Sequence, residues 1–155
     1  MEFRSKWYDG IVKEINLHKD SLNKKSAKKY KLDLLLRMAK RVDDFSTICG
    51  ECQMFQSEIT GLTRELSLLI QMPNKESQKS YFKAIGKITK HLQKQHKLVT
   101  AGQYMGMWGV IGTAIGVVIG AALGNPSAGM AIGVGIGVAI GSYLDKKAKK
   151  EGKVI

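Results

Sequence analysis

Residues 104–144 read YMGMWGVIGTAIGVVIGAALGNPSAGMAIGVGIGVAIGSYL, and the whole stretch between Lys97 and Asp145 holds no charged side chain. Glycine recurs there at every fourth position in two series. The first is Gly112, Gly116, Gly120 and Gly124; the second is Gly129, Gly133, Gly137 and Gly141. Asn125-Pro126-Ser127 separates them with turn chemistry, and Pro126 lacks the donor that a continuous helix would need. The segments 104–123 and 127–144 each approach the ~20 residues with which a helix crosses ~30 Å of hydrocarbon. The short link makes the two helices antiparallel neighbours. This is the pattern of a two-helix transmembrane hairpin, residues 98–145.

Glycine in a soluble helix costs about 1 kcal/mol relative to alanine, so eight at regular spacing need a compensating reason. In lipid the backbone must satisfy its own hydrogen bonds, which keeps such a segment helical. A step of four lays the glycines along one stripe, where missing side chains let a second helix approach closely. Ala121, Ala131 and Ala139 add small residues, while Ile115, Val118, Ile119, Ile132, Val134, Val138 and Ile140 suit a lipid-facing surface. The stripe either closes the hairpin on itself or joins copies of the chain. The pattern resembles the glycine-zipper motif of membrane helices, found in mechanosensitive channels and in pore-forming or surface-anchored bacterial proteins. It is also similar to small uncharacterised prokaryotic membrane proteins that end in a charged tail like LDKKAKKEGKVI. That resemblance covers the C-terminal third and implies close helix association, without implying conduction.

Charge sets the expected orientation. The chain has 155 residues, 25 Lys and Arg against 13 Asp and Glu, and a net charge of +12. Lys94 and Lys97 precede the hairpin and Lys146, Lys147, Lys149 and Lys150 follow it, whereas the turn is uncharged. The positive-inside rule then puts both ends of the hairpin in the cytoplasm, with Tyr104, Trp108 and Tyr143 at the interface. The opening MEFRSKWYDGIVKEI mixes charge with apolar residues and lacks the apolar core of a secretory signal. The expectation is a cytoplasmic (inner) membrane protein with both termini cytoplasmic and a basic tail, residues 146–155.

Residues 1–97 read as a small cytoplasmic antiparallel helical bundle, which makes the fold class all-α. A first helix lies near Tyr8–Leu17, with Ile11 and Ile15 one turn apart. A second, about Ser26–Asp44, puts Leu32, Leu35, Leu36, Ala39 and Val42 on one face. A third, about Gln53–Gln71, carries Phe55, Ile59, Leu62, Leu66 and Leu69 and ends at Pro73-Asn74. A fourth, from about Glu76 to His96, has Tyr81, Ile85, Ile88 and Leu92 as its stripe.

Chemistry concentrates at one end of the last pair. Cys49-Gly50-Glu51-Cys52 immediately precedes the third helix, and His91 and His96 close the fourth. The two arms are both ~30 Å at 1.5 Å per residue, so a hairpin returns the histidines to the cysteines. CxxC at a helix start and HxxxxH at a helix end suit a structural Cys2His2 zinc site of Cys49, Cys52, His91 and His96. His91 and His96 stand about 140° apart on an ideal helix, so the last turn must loosen for both to reach one ion. Other readings of the CxxC are unliganded thiols, a redox pair without its usual βαβ setting, or an intersubunit disulfide. Glu51 reads as a solvent-facing linker residue, and His18 as exposed.

No Ser-His-Asp set, phosphate loop or paired carboxylates occur, and four protein ligands leave zinc no open position, so no catalytic residue is assigned and the chain is not read as an enzyme. The leading expectation is a non-enzymatic membrane protein that self-associates through its hairpin and presents a zinc-stabilised basic domain. Its partners would be copies of itself, anionic lipids near Lys24, Lys25, Lys28 and Lys29, and another protein. A pore or membrane-permeabilising effector is the alternative, although no charged residue lines the hairpin. Membrane-anchored nucleic-acid binding is the least favoured: Trp7, Tyr8, Tyr30, Tyr81 and Phe82 form no evident stacking platform.

Overall fold

The computed structural model describes residues 5–155, all-helical apart from one isolated bridge, with seven helices among the described residues. They are α1 (Lys6–Ser21), α2 (Lys24–Lys29), α3 (Leu32–Phe45), α4 (Gly50–Gln71), α5 (Lys75–Gln95), α6 (Gln103–Ala122) and α7 (Pro126–Lys150). The described chain divides into two compact units, one of residues 5–96 with Ile155 and one of residues 97–154.

In the first unit α3 packs on α1, α2, α4 and α5, while α4 also touches α1 and α5. The core is the set of stripes expected from periodicity: Ile11 and Ile15; Leu32, Leu35, Ala39 and Val42; Ile59 and Leu66; Tyr81, Ile85, Ile88 and Leu92. Met38 joins them, fully buried, whereas Leu36 is only half-buried. Local signals start the helices. Ser5 accepts from the Tyr8 amide, Asn23 from Ser26 and Asn74 from Glu76, each satisfying a donor that the first turn leaves orphaned.

The second expected helix is two. It breaks at Tyr30-Lys31, where Lys31 adopts the left-handed conformation (φ 54°) between α2 and α3. Burial of Tyr30 accompanies the break. Its hydroxyl donates to the Leu69 carbonyl (3.3 Å), its carbonyl accepts from the Tyr81 hydroxyl (2.9 Å), and its ring meets the Tyr81 ring edge-on. Two tyrosines thus enter the core with their polar ends satisfied, as burial demands.

The second unit inverts the usual distribution of side chains. Its buried residues include Gly116, Gly120, Gly133, Gly137 and Gly141, while Val110, Val118 and Ile132 are 71%, 70% and 64% exposed. The glycines of α6 meet those of α7 in opposite order: Gly112 against Gly133 and Gly137, Gly116 against Gly129 and Gly133, Gly120 against Gly129. A Cβ on Gly116 would overlap the Gly129 carbonyl oxygen and stand 2.9 Å from the Gly133 Cα; one on Gly133 would overlap the Gly112 carbonyl oxygen. Gly137 faces Trp108 and Gly109, and Gly141 faces Tyr104 and Met105. Gly124 stands apart. It lies just beyond α6 at φ 76° with nothing near its would-be Cβ, so it turns the chain and packs against nothing.

At the other end of the pair, Asp145 of α7 caps α6. Its two carboxylate oxygens accept from the Tyr104 amide (3.2 Å) and the Met105 amide (3.0 Å), an anion on the positive end of a helix. Beyond the apolar run α7 continues to Lys150, so much of the expected basic tail is helical, and the Val99 amide donates to the Lys153 carbonyl at 2.8 Å. Overpacking of a close backbone contact typically costs about 1–3 kcal/mol. Gly116→Ala and Gly133→Ala should each lose about that much stability in thermal melts of detergent-solubilised protein. Gly135→Ala, with nothing within 4 Å of the new carbon, should be neutral or slightly stabilising. Equal melting of Gly133→Ala and Gly135→Ala would contradict this packing.

Candidate metal centre

The four sulfur- and nitrogen-bearing side chains that the spacing singles out converge. Cys49 is the residue preceding α4 and Cys52 is in its first turn; His91 lies in the last turns of α5 and His96 follows it as the C-cap. The helix does loosen there: His96 has φ −103° and ψ 4°, outside helical geometry. One ligand atom from each residue falls within a cluster whose members are all within 4.8 Å of one another. His91 Nε2 is 3.4 Å from both the Cys49 Sγ and the Cys52 Sγ, and His96 Nε2 is 3.3 Å from the Cys52 Sγ.

These separations can be set against a metal's requirements. With Zn–S about 2.3 Å and Zn–N about 2.0–2.1 Å, a tetrahedron has S···N edges of about 3.6 Å. Three cross pairs at 3.3–3.4 Å are therefore already at ligand spacing. Two thiols and two imidazoles form a soft donor set, which suits zinc better than magnesium or calcium. The group can hold a metal ion.

Neighbouring rings and one carboxylate fix the ligands. Phe45 stacks on His96 with centroids 3.9 Å apart and planes 18° from parallel, and Phe55 meets His91 edge-on at 5.1 Å. Glu51 Oε2 lies 2.5 Å from His91 Nδ1. That bond puts the proton on Nδ1 and leaves Nε2, the atom facing both thiols, with its lone pair for a metal. Glu51 is thus exposed to solvent, as its place inside CxxC suggests, and is a positioning residue as well. Sequence offers one cue, an acidic residue in the first turn of α4, and nothing that says how far it reaches.

Without a cation, electrostatics favour the neutral forms of Cys52 and His96. Burial pushes the Cys52 thiol up to about 12, helped by a hydrogen bond and by charge from Cys49 and by the Glu51 carboxylate. Burial, then the neighbouring His91, holds His96 below the usual imidazole range. A cation reverses the first effect, since a coordinating thiol is deprotonated.

The remaining expected site residues lie elsewhere. Lys24, Lys25, Lys28 and Lys29 are exposed along α2, with the Lys29 Nζ 5.4 Å from the centre of the Tyr30 ring. His18 is half-buried with Nε2 3.5 Å from the Ser67 hydroxyl, so it is not simply exposed. Of the aromatics weighed for a nucleic-acid platform, Tyr30 and Tyr81 are in the core, and the Trp7 indole donates to the Thr60 hydroxyl at 3.0 Å. No protein family, curated protein or solved structure matches the chain.

Two outcomes follow for the purified full chain. Removing the Glu51 carboxylate as Glu51→Gln should weaken zinc binding about tenfold or more in chelator competition, the usual scale for a bond that orients a ligand. Cys52→Ser should lose the metal. Acidity acts with a defined sign. The Cys52 proton must leave on binding, so zinc affinity should rise about tenfold per pH unit through neutral pH for that proton alone. Without metal, folded His96 stays neutral while the unfolded chain takes up a proton. Its contribution to stability is present above the ordinary imidazole value and lost as pH falls through the lowered one, which acid titration followed by circular dichroism will read.

Proposed function

We propose that the chain is a non-enzymatic integral membrane protein in which a zinc-stabilised basic helical domain is held at the cytoplasmic face by a self-closed antiparallel helical hairpin. The observation that carries the membrane part is the inverted hairpin. Both α6 and α7 are long and apolar enough to span a bilayer, and only 11% of each apolar window is buried within the chain. A core helix of a soluble protein would bury most of that surface. The zinc part rests on the Cys49, Cys52, His91 and His96 cluster, whose four protein ligands would leave no position for substrate.

The arrangement changes what the glycines are for. Seven of the eight face the backbone of the neighbouring helix in the same chain, so they account for closure of the hairpin before any second copy is considered. Self-association is a separate proposal, and it would use other surfaces. An apolar groove of about 290 Å³ runs along the hairpin, walled by Ile111, Ile115 and Ile119 on α6 and Ile132, Ile136 and Ile140 on α7. A water-filled pore is disfavoured. The Thr113 hydroxyl is spent on the Gly109 carbonyl at 2.7 Å, and no charged group lies inside the apolar run.

Alkaline carbonate washing of membranes should leave the full chain in the pellet. Tags placed at each terminus should be cleaved together in inside-out vesicles and protected together in right-side-out ones. Release by carbonate, or tags on opposite sides, would overturn the reading. Crosslinking in membranes at low expression separates a self-closed monomer from an oligomer.

A further inference from the structure

Where α6 begins and α7 ends, a pocket of about 310 Å³ opens, and it is chemically unlike the rest of the second unit. Three lysines line it, Lys97, Lys147 and Lys153, together with Tyr104, Leu144 and Glu151. The one carboxylate is engaged by Lys153 at 2.8 Å. Among the described residues no carboxylate lies within ion-pair distance of Lys97 or Lys147, and although Glu151 also feels Lys147, three lysines against one carboxylate leave the lining with a net positive charge. Its rim is built from shaped backbone. Val99 is bridged to Val154, its amide donates to the Lys153 carbonyl, and Lys97 adopts positive φ (55°). Among the described residues Lys97 is one of two non-glycine residues that do so, a conformation costly enough to need support from its surroundings.

Position gives the pocket its meaning. It sits at the charged ends of the two apolar helices, where a spanning hairpin meets the headgroup layer, and Tyr104 is the aromatic residue at that boundary. We propose that this pocket binds the phosphate headgroup of an anionic membrane lipid, with Lys97 and Lys147 supplying charge, the Tyr104 hydroxyl a hydrogen bond, and Leu144 the apolar wall along which an acyl chain leaves. The assignment rests on the membrane reading above. Free phosphate offers the same oxyanion but has no use for the apolar half of the lining.

The test uses the full chain in nanodiscs of phosphatidylcholine with a minority of phosphatidylglycerol, released for native mass spectrometry. Retention of phosphatidylglycerol in preference to phosphatidylcholine is expected. Lys97→Gln/Lys147→Gln should lower its affinity about fivefold per lysine, about 25-fold for the pair. Lys97→Arg/Lys147→Arg should retain it. Lys79→Gln/Lys83→Gln, on the exposed face of α5, makes the same charge change and should have no effect. A chain that never enters the discs overturns the membrane reading and this assignment with it. A chain that enters but does not discriminate between the lipids, or binds phosphatidylglycerol as well in the Gln pair, overturns the pocket alone. Inorganic phosphate displacing the lipid at equal concentration would assign the site to the free anion instead.

Discussion

At Gly112, Gly116 and Gly133 a carbonyl oxygen of the opposite helix occupies the place where the first side-chain carbon would stand. This contact between backbones sets the form of the second unit. Once two helices touch along their main chains, no side chain can lie between them, and every large aliphatic group is displaced to the outside. In water that would leave a large apolar surface unburied. In hydrocarbon that exposure carries no hydrophobic penalty, because lipid tails are as apolar as leucine, and the close backbone contact lets van der Waals packing favour the pairing. The glycine stripe and the exposed isoleucines are therefore one constraint seen from its two sides.

The first unit solves the same problem of pairing helices with the opposite means. Its core is of ordinary size and built from leucine, isoleucine and two tyrosines whose hydroxyls bond to carbonyls. The end of the α4–α5 pair is not closed by aliphatic packing. Two thiols and two imidazoles meet there, flanked by Phe45 and Phe55, which keep the rings oriented. A metal at that point would contribute its binding free energy to folding.

What was legible in the sequence was whatever depends on periodicity and length. The stripe Tyr81, Ile85, Ile88, Leu92 can only face a core, and equal arms on α4 and α5 bring residues 49–52 and 91–96 together without further information. What was not legible depends on how a single side chain reaches across space. The break at Tyr30-Lys31 follows from a tyrosine whose hydroxyl bonds 39 residues away in sequence, to Leu69. Glu51 looks like any acidic residue in a first helical turn until the His91 ring is placed above it. Asp145 was visible only as the end of an uncharged run, although its carboxylate caps the opposite helix 40 residues earlier.

Asp145 also shows why that uncharged run ends where it does. The α6 N-terminus begins at Gln103 with Gly102 as its N-cap, which has no side chain to accept from the first amides. Those donors sit at the rim of the apolar segment, where an unsatisfied amide costs several kcal/mol if hydrocarbon covers it. A carboxylate brought in from α7 satisfies two of them and places its negative charge against the positive end of the helix. The same contact fixes the register of α7 on α6, since a one-turn slip of about 5.4 Å would carry the carboxylate out of reach. The glycine contacts allow such a slip more readily than side chains would, because a four-residue repeat nearly superimposes on itself. One charged residue at the end of the stripe removes that ambiguity.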